Sequence, residues 1–84
     1  MTTAASHSNG KIPPQDLIAE KSLLGAILLS DEIFPEILEI LKPADFYEPA
    51  NSKIFQGMVS LYEKHKPIDL LTLTAELKSQ KTLR

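Results

Sequence analysis

The fold is decided by two segments, Lys42-Pro43-Ala44-Asp45-Phe46-Tyr47-Glu48-Pro49 and Lys66-Pro67-Ile68-Asp69-Leu70-Leu71-Thr72-Leu73. Each begins with a lysine–proline break and leads into a stretch whose apolar residues recur every three or four positions, as in an amphipathic helix. Proline lacks a backbone N–H and cannot continue a helix, so each break separates two helices. Because Pro49 suits a first helical position and Asp69 can cap a helix, the segments predict where two helices begin.

Two more helices are predicted upstream of these breaks. Asp16 is a candidate N-cap for the first, and Asp31 for the second, which ends before Pro43. The second and third helices carry matching apolar stripes, which predict an antiparallel pair around a short loop. The few β-branched residues do not alternate along the chain, so no strand is predicted. We therefore predict an all-α fold, a small orthogonal or antiparallel bundle of about four helices.

The apolar stripes also identify a candidate core. Its members recur at helical spacing on the four predicted helices and are Leu24, Phe34, Leu38, Phe55, Val59 and Leu73. Gly25 interrupts the first helix at a cost of about 1 kcal/mol relative to alanine, and we interpret it as a place of tight helix packing. Thr72 stands where a capping box has Glu or Gln, so Asp69 is predicted to cap its helix without a reciprocal partner.

The composition argues against several kinds of site. The 84 residues suit one small domain, and the absence of cysteine excludes disulfides and thiolate metal sites. The two histidines stand far apart in sequence, and none of the three glycines lies in a phosphate-binding loop. No apolar run reaches the roughly 18 residues that a membrane span needs. We therefore predict a soluble, intracellular chain that itself has no catalytic site, no metal site and no cofactor.

The ends of the chain differ in character from its middle. Residues 1–12 are rich in Thr, Ser and Ala and lack the apolar core of a signal peptide, so we predict a disordered tail. The helical domain is predicted over residues 13–84. Neither a glycine cap nor a proline stop follows the last predicted helix, which we interpret as a domain that is incomplete at its C-terminal end.

Charge is unevenly distributed along the chain, although the net charge is only −2. Residues 16–48 are mostly acidic and residues 49–84 mostly basic, which indicates either solvated helix faces or a polarised surface that orients neighbouring copies. On the second interpretation, Lys64 and Lys66 are candidate interaction residues, and reversing their charges should change self-association more than folding. Tyr47 is a third candidate, either an interface anchor or a ring whose hydroxyl meets water or a carbonyl.

The helix junctions together resemble those of one family, the N-terminal domain of DnaB-type replicative DNA helicases. The similarity runs from about Pro13 to Leu83 and rests on three stretches: Ala19-Glu20-Lys21-Ser22-Leu23-Leu24-Gly25, Asp45-Phe46-Tyr47 with its following Pro49, and Pro67-Ile68-Asp69-Leu70-Leu71-Thr72-Leu73. The sequence departs from the family at Ile18, where an acid is usual, and at Lys21, where glutamine is frequent.

The resemblance implies that the parent protein is a hexameric ring that unwinds DNA. It would use ATP and Mg²⁺ in a separate RecA-like domain that this chain lacks. The N-terminal domains would form a collar, and in the family they continue into further helices and a helical hairpin. The implied partners are copies of the same chain, primase, a helicase loader, and DNA through the missing domain, with no membrane, in the cytoplasm or an organelle.

Two other functions remain open at this point. The chain could be a free-standing helical adaptor for protein–protein contacts, without enzymatic activity. It could also be a small DNA-binding domain, which would lose affinity steeply with salt. Tyr62 is the only aromatic residue near the lysines of the basic half, whereas a groove for single strands needs several stacking rings, so we do not expect direct DNA binding.

Overall fold

The computed structural model describes residues 16–82, so the predicted tail over residues 1–12 lies outside the described residues. Four α-helices and two single turns of 3₁₀ helix make up this part of the chain, and no strand occurs in it. The α-helices are α1 (Leu17–Leu29), α2 (Phe34–Leu38), α3 (Pro49–Glu63) and α4 (Leu70–Thr82), and the 3₁₀ turns are Asp31–Ile33 and Pro43–Asp45. The predicted all-α class with four helices is confirmed.

Three of the helices begin where the local sequence predicts. The Asp16 carboxylate accepts a hydrogen bond from the Ala19 N–H at 3.0 Å and caps α1, and α3 begins at Pro49. At α4, the Thr72 N–H donates to the Asp69 carboxylate at 2.9 Å, and the Asp69 N–H donates to the Thr72 hydroxyl at 3.0 Å. The prediction that Asp69 lacks a reciprocal partner is therefore wrong, because the threonine hydroxyl takes the place of a longer Glu side chain.

The second helix is shorter than predicted. α2 ends at Leu38. Asp31 lies in the preceding 3₁₀ turn, and its side chain caps neither that turn nor α2. The Asp31 carboxylate instead accepts a hydrogen bond from the Ile68 N–H at 2.9 Å, in the loop before α4. This long-range bond ties the α1–α2 junction to the start of α4. Phe34 of α2 packs on α3 through the rings of Phe55 and Tyr62, although α3 packs most extensively against α4.

The core surrounds α3. Phe55 is fully buried, with its ring centroid 5.4 Å from that of Phe34 on α2 and 4.9 Å from that of Phe46 in the preceding loop. Of the predicted core, Leu24, Phe34, Phe55 and Leu73 are buried, whereas Leu38 and Val59 are half-buried at the edge of the cluster. Seven further residues are buried in the core, namely Ile27, Ile37, Leu41, Phe46, Met58, Leu61 and Ile68.

Close helix packing occurs at Gly57 and not at Gly25. A Cβ added to Gly57 would lie 2.9 Å from the Leu77 Cδ2 and 3.1 Å from the Leu73 Cδ1, so α4 crosses α3 at this position. A Cβ added to Gly25 would meet no described atom within 4 Å. The interpretation of Gly25 as a tight packing position is therefore wrong for the part of the chain that the structure describes.

The C-terminal end of α3 is closed by a Schellman motif. The Lys66 N–H donates to the Leu61 carbonyl at 2.9 Å, and the His65 N–H donates to the Tyr62 carbonyl at 3.0 Å. This geometry needs a left-handed residue after the helix, and His65 supplies it with a φ of 61°. Glycine is the usual residue at such a position because it has no Cβ, so His65 costs conformational energy.

Candidate functional site

The polar side chains that converge in the described part of the chain do so around two buried glutamates. No three His, Asp or Glu side chains within residues 16–82 come together as a metal site would require. No described helix is long and apolar enough to cross a membrane.

Glu20 on α1 is fully buried and caps α3 from outside that helix. Its carboxylate accepts hydrogen bonds from the Asn51 side-chain amide at 2.8 Å and from the backbone N–H groups of Tyr47 and Glu48. These donors lie at the start of α3, where unpaired N–H groups and the helix dipole favour a negative charge. Burial alone would raise the pKa of Glu20, but the hydrogen bonds from Asn51 and the two backbone groups outweigh it and lower the pKa.

The same contacts hold the loop that carries Tyr47. The Tyr47 backbone is bound to Glu20, and the neighbouring Phe46 is buried against Phe55, while the Tyr47 side chain remains 55% exposed. The loop therefore presents an aromatic ring to solvent from a fixed backbone position. Such a ring loses little conformational freedom when it binds, which suits an interface anchor.

Glu76 on α4 forms the second buried polar cluster. Its carboxylate accepts hydrogen bonds from the Ser60 hydroxyl at 2.6 Å, the Lys64 ammonium at 3.0 Å and the Gln80 amide at 3.3 Å. The hydrogen bonds from Ser60 and Lys64 outweigh the effect of burial and lower the pKa of Glu76. This cluster joins the C-terminal half of α3 to α4.

The structure changes the role expected of Lys64. Its ammonium is bound to the buried Glu76, so it serves the fold as well as the surface. Lys66 is exposed. Tyr47 precedes α3 and both lysines follow its last residue, so the three candidates lie at opposite ends of a helix that is roughly 22 Å long. They do not form a single site.

Sequence reasoning missed an open groove between α3 and α4. The groove has a volume of about 870 Å³. Ala50, Ile54 and Leu77 form its apolar part, and Lys53 and Lys81 supply two ammonium groups. The groove lies beside Gly57, where α4 crosses α3. This glycine in the sequence of α3 was the one signal that could have indicated where α4 packs.

A second apolar surface lies on α1 and was also missed. Gly25, Ala26, Leu28 and Leu29 line it together with Leu70 at the start of α4. Leu29 is 90% exposed and Leu70 69% exposed, so this surface presents large apolar side chains to solvent. We call this surface the α1 face.

The family follows from comparison with known proteins. Residues 12–84 match the family model of the DnaB-like helicase N terminal domain. The chain therefore belongs to the family of DnaB-like helicase N-terminal domains, and the resemblance seen at the helix junctions is confirmed.

Individual relatives agree with the family model. The chain is 42% identical over 79 residues to the replicative DNA helicase DnaB of Mycobacterium leprae, covering 94% of this chain and 13% of that protein. It is 42% identical over 73 residues to the replicative DNA helicase DnaB of Geobacillus stearothermophilus, covering 87% of this chain and 16% of that protein. The chain thus spans less than a fifth of the length of either relative.

A solved structure shares the fold. The crystal structure of the N-terminal domain of DnaB helicase from Mycobacterium tuberculosis superposes with a TM-score of 0.77 at 43% sequence identity. The match covers 83% of this chain and 50% of the other, so the helices described above correspond to part of that domain.

Proposed function

We propose that this chain acts as a scaffolding and interaction domain in a hexameric replicative DNA helicase, where it supports ring assembly and recruits primase. Family membership carries the proposal, since the relatives that match along most of this chain are named replicative DNA helicases. A replicative role would place the chain in the cytoplasm, where the bacterial chromosome lies.

ATP and Mg²⁺ belong to the proposed helicase but not to the described residues. Both described glycines lie inside helices, Gly25 in α1 and Gly57 in α3, and not in a loop that could surround phosphates. We therefore propose that ATP hydrolysis and DNA binding belong to other parts of the helicase and that this domain contributes protein contacts.

The surfaces of the described helices suit such contacts. The α1 face exposes large apolar side chains, the groove between α3 and α4 combines apolar and basic residues, and the Tyr47 ring stands on a fixed loop. Exposed apolar patches and fixed aromatic rings are frequent at protein interfaces. The partners proposed for these surfaces are further copies of the chain, primase and a helicase loader.

Binding to purified primase tests the proposal directly. We expect the purified chain to bind primase from the same organism by isothermal titration calorimetry, and Tyr47→Ala to weaken binding at least fivefold if the ring is an anchor. Tyr47→Phe is the matched control, because it keeps the ring and should bind within twofold of the original. A chain that neither binds primase nor self-associates would contradict the proposal.

The coding sequence downstream of Arg84 separates this proposal from the free-standing adaptor. A phosphate-binding loop of the form G-x-x-x-x-G-K-[ST], encoded in the same reading frame, would support the helicase. A stop codon directly after Arg84 would support the adaptor.

A further inference from the structure

One side of the molecule carries an acidic stripe, which we define as Glu32, Glu36 and Glu39. Glu32 lies in the 3₁₀ turn Asp31–Ile33, Glu36 in α2 and Glu39 directly after α2, so the three carboxylates follow one another along a short segment. All three are exposed, and the neighbouring Ile40 side chain is 50% exposed. Within residues 16–82, the Glu36 and Glu39 carboxylates take part in no ion pair. The stripe is therefore an acidic surface with an apolar residue at its end.

The groove between α3 and α4 has the complementary chemistry. Lys53 and Lys81 are exposed there, and neither ammonium forms an ion pair with a described residue. Ile54 and Leu77 lie between them as half-buried apolar side chains. We call this surface the basic groove.

The acidic stripe and the basic groove belong to elements on different sides of α3. Phe34 of α2 contacts α3 through the ring of Phe55, whereas α4 contacts α3 at Gly57 and through the bond from Ser60 to Glu76. Phe55 and Gly57 are two residues apart, which places them roughly 160° apart around a helix. The stripe of one molecule therefore cannot reach the groove of the same molecule, but it can reach the groove of another.

We propose that the acidic stripe of one copy of this chain docks into the basic groove of the next copy. Glu36 and Glu39 would face Lys53 and Lys81, and Ile40 would contact the apolar floor of the groove. This inference rests on the proposed role in ring assembly and names the surfaces that perform it. Because the two surfaces differ, the contact is heterologous, and its repetition closes a ring or extends an open chain.

The affinity of this contact is low and sensitive to salt. Exposed ion pairs contribute little individually, and salt screens them over about 10 Å at 0.1 M ionic strength. Self-association of the isolated chain should therefore appear at high protein concentration and weaken as salt is added.

Charge exchange between the two surfaces tests the proposal. The acid-reversed variant carries Glu36→Lys and Glu39→Lys, and the base-reversed variant carries Lys53→Glu and Lys81→Glu. Each should lower the self-association constant about tenfold or more in sedimentation equilibrium at low salt, because like charges then meet. The variant with all four substitutions keeps the original net charge but exchanges the signs of the two surfaces, so opposite charges meet again. It should recover most of the association.

The control is a variant in which the net charge changes equally but at a residue outside both surfaces. Lys21→Glu alters one exposed lysine outside both surfaces and should leave association within about twofold of the original, whereas Lys53→Glu changes the net charge equally and should weaken association. Circular dichroism melting curves would establish that every variant is folded.

The possible failures are distinguishable. If both reversed variants associate as strongly as the original chain, the surfaces named here are wrong, while self-association itself stands. If the original chain stays monomeric to millimolar concentration, both this inference and the assembly part of the proposed function are contradicted, and primase binding decides the remainder. If base reversal abolishes primase binding but not self-association, the basic groove serves a partner protein and the inference is overturned.

Discussion

The Asn51 side-chain amide donates a hydrogen bond of 2.8 Å to the carboxylate of Glu20, which lies 31 residues earlier in the chain. This bond joins the middle of the domain to its first helix. Asn51 is itself buried in the first turn of α3, so each side chain satisfies the other where water does not reach. The stability of the fold should therefore depend strongly on Glu20.

Replacing Glu20 with alanine should destabilise the domain by about 3 kcal/mol. The substitution leaves the Asn51 amide and two backbone N–H groups without their acceptor in a buried place. Glu20→Gln should cost less, because its carbonyl oxygen still accepts one of these bonds. Urea unfolding would measure both effects, and the exposed Glu36→Ala serves as the control, with an expected change within about 0.5 kcal/mol. Equal midpoints for Glu20→Ala and Glu36→Ala would rule out the cap.

Stability should fall on acidification because of the two buried glutamates. The pKa values of Glu20 and Glu76 are both lower in the folded chain than their ordinary value. The unfolded chain then binds more protons in this range, so the stabilisation is complete above the ordinary Glu pKa of about 4.3 and is lost as pH falls through the folded values. Melting temperatures between pH 3 and 7 would show this, and Glu76→Gln should flatten the acid limb. An unchanged acid limb in that variant would contradict the assignment to Glu76.

Charge reversal at Lys64 should affect folding, unlike charge reversal at Lys66. Lys64→Glu would place a second carboxylate next to the buried Glu76, and we expect a loss of about 1–2 kcal/mol, reduced by the partial exposure of Lys64. Lys66→Glu should change stability by less than about 0.5 kcal/mol, because that side chain is exposed. Denaturant midpoints of the two variants test the difference. Similar midpoints would restore the view that both lysines serve only the surface.

His65→Gly should stabilise the domain by about 1 kcal/mol. Glycine adopts the left-handed conformation of this position without the steric cost that a Cβ incurs. The matched variant His65→Val should be less stable than the original, because β-branched side chains fit this conformation worst. A thermal melt of the three proteins should rank them Gly, His, Val from most to least stable, and any other order would contradict the strain at His65.

Alanine substitution should have different effects at the two described glycines. Gly25→Ala should stabilise α1 by up to about 1 kcal/mol, because the new methyl group meets no described atom within 4 Å. At Gly57 the same gain in helix propensity is opposed by Leu77 and Leu73, which must move away from the new methyl group. In denaturant unfolding, the Gly57→Ala variant should therefore be less stable than the Gly25→Ala variant. The reverse order would mean that α4 crosses α3 elsewhere.

Local signals in the sequence predicted the ends of the helices well. Asp16 and Pro49 lie where predicted because a cap or a first-turn proline depends only on neighbouring residues. The family resemblance rests on the same kind of junction, which neighbouring residues determine. Asp31 looked like a cap for the same reason, but the Ile68 N–H, 37 residues away, competes for its carboxylate.

The parts that sequence reasoning missed depend on contacts between distant residues. Glu20 lies on α1 among other polar residues, and nothing near it in the sequence shows that the start of α3 will bury it. Lys64 looked like a surface charge because its partner Glu76 lies 12 residues away on another helix. The groove was missed because it follows from where α4 crosses α3, and the α1 face was missed because it brings α1 next to Leu70 at the start of α4.

The two buried glutamates hold α3 near both of its ends, Glu20 at the first turn and Glu76 near the last. With both ends fixed, α3 can neither slide along its axis nor rotate without breaking charged hydrogen bonds. α3 thus connects the loop of Tyr47 to the basic groove. A partner that displaced the Tyr47 loop would first have to break its hydrogen bonds to Glu20, so this loop cannot move independently of α1.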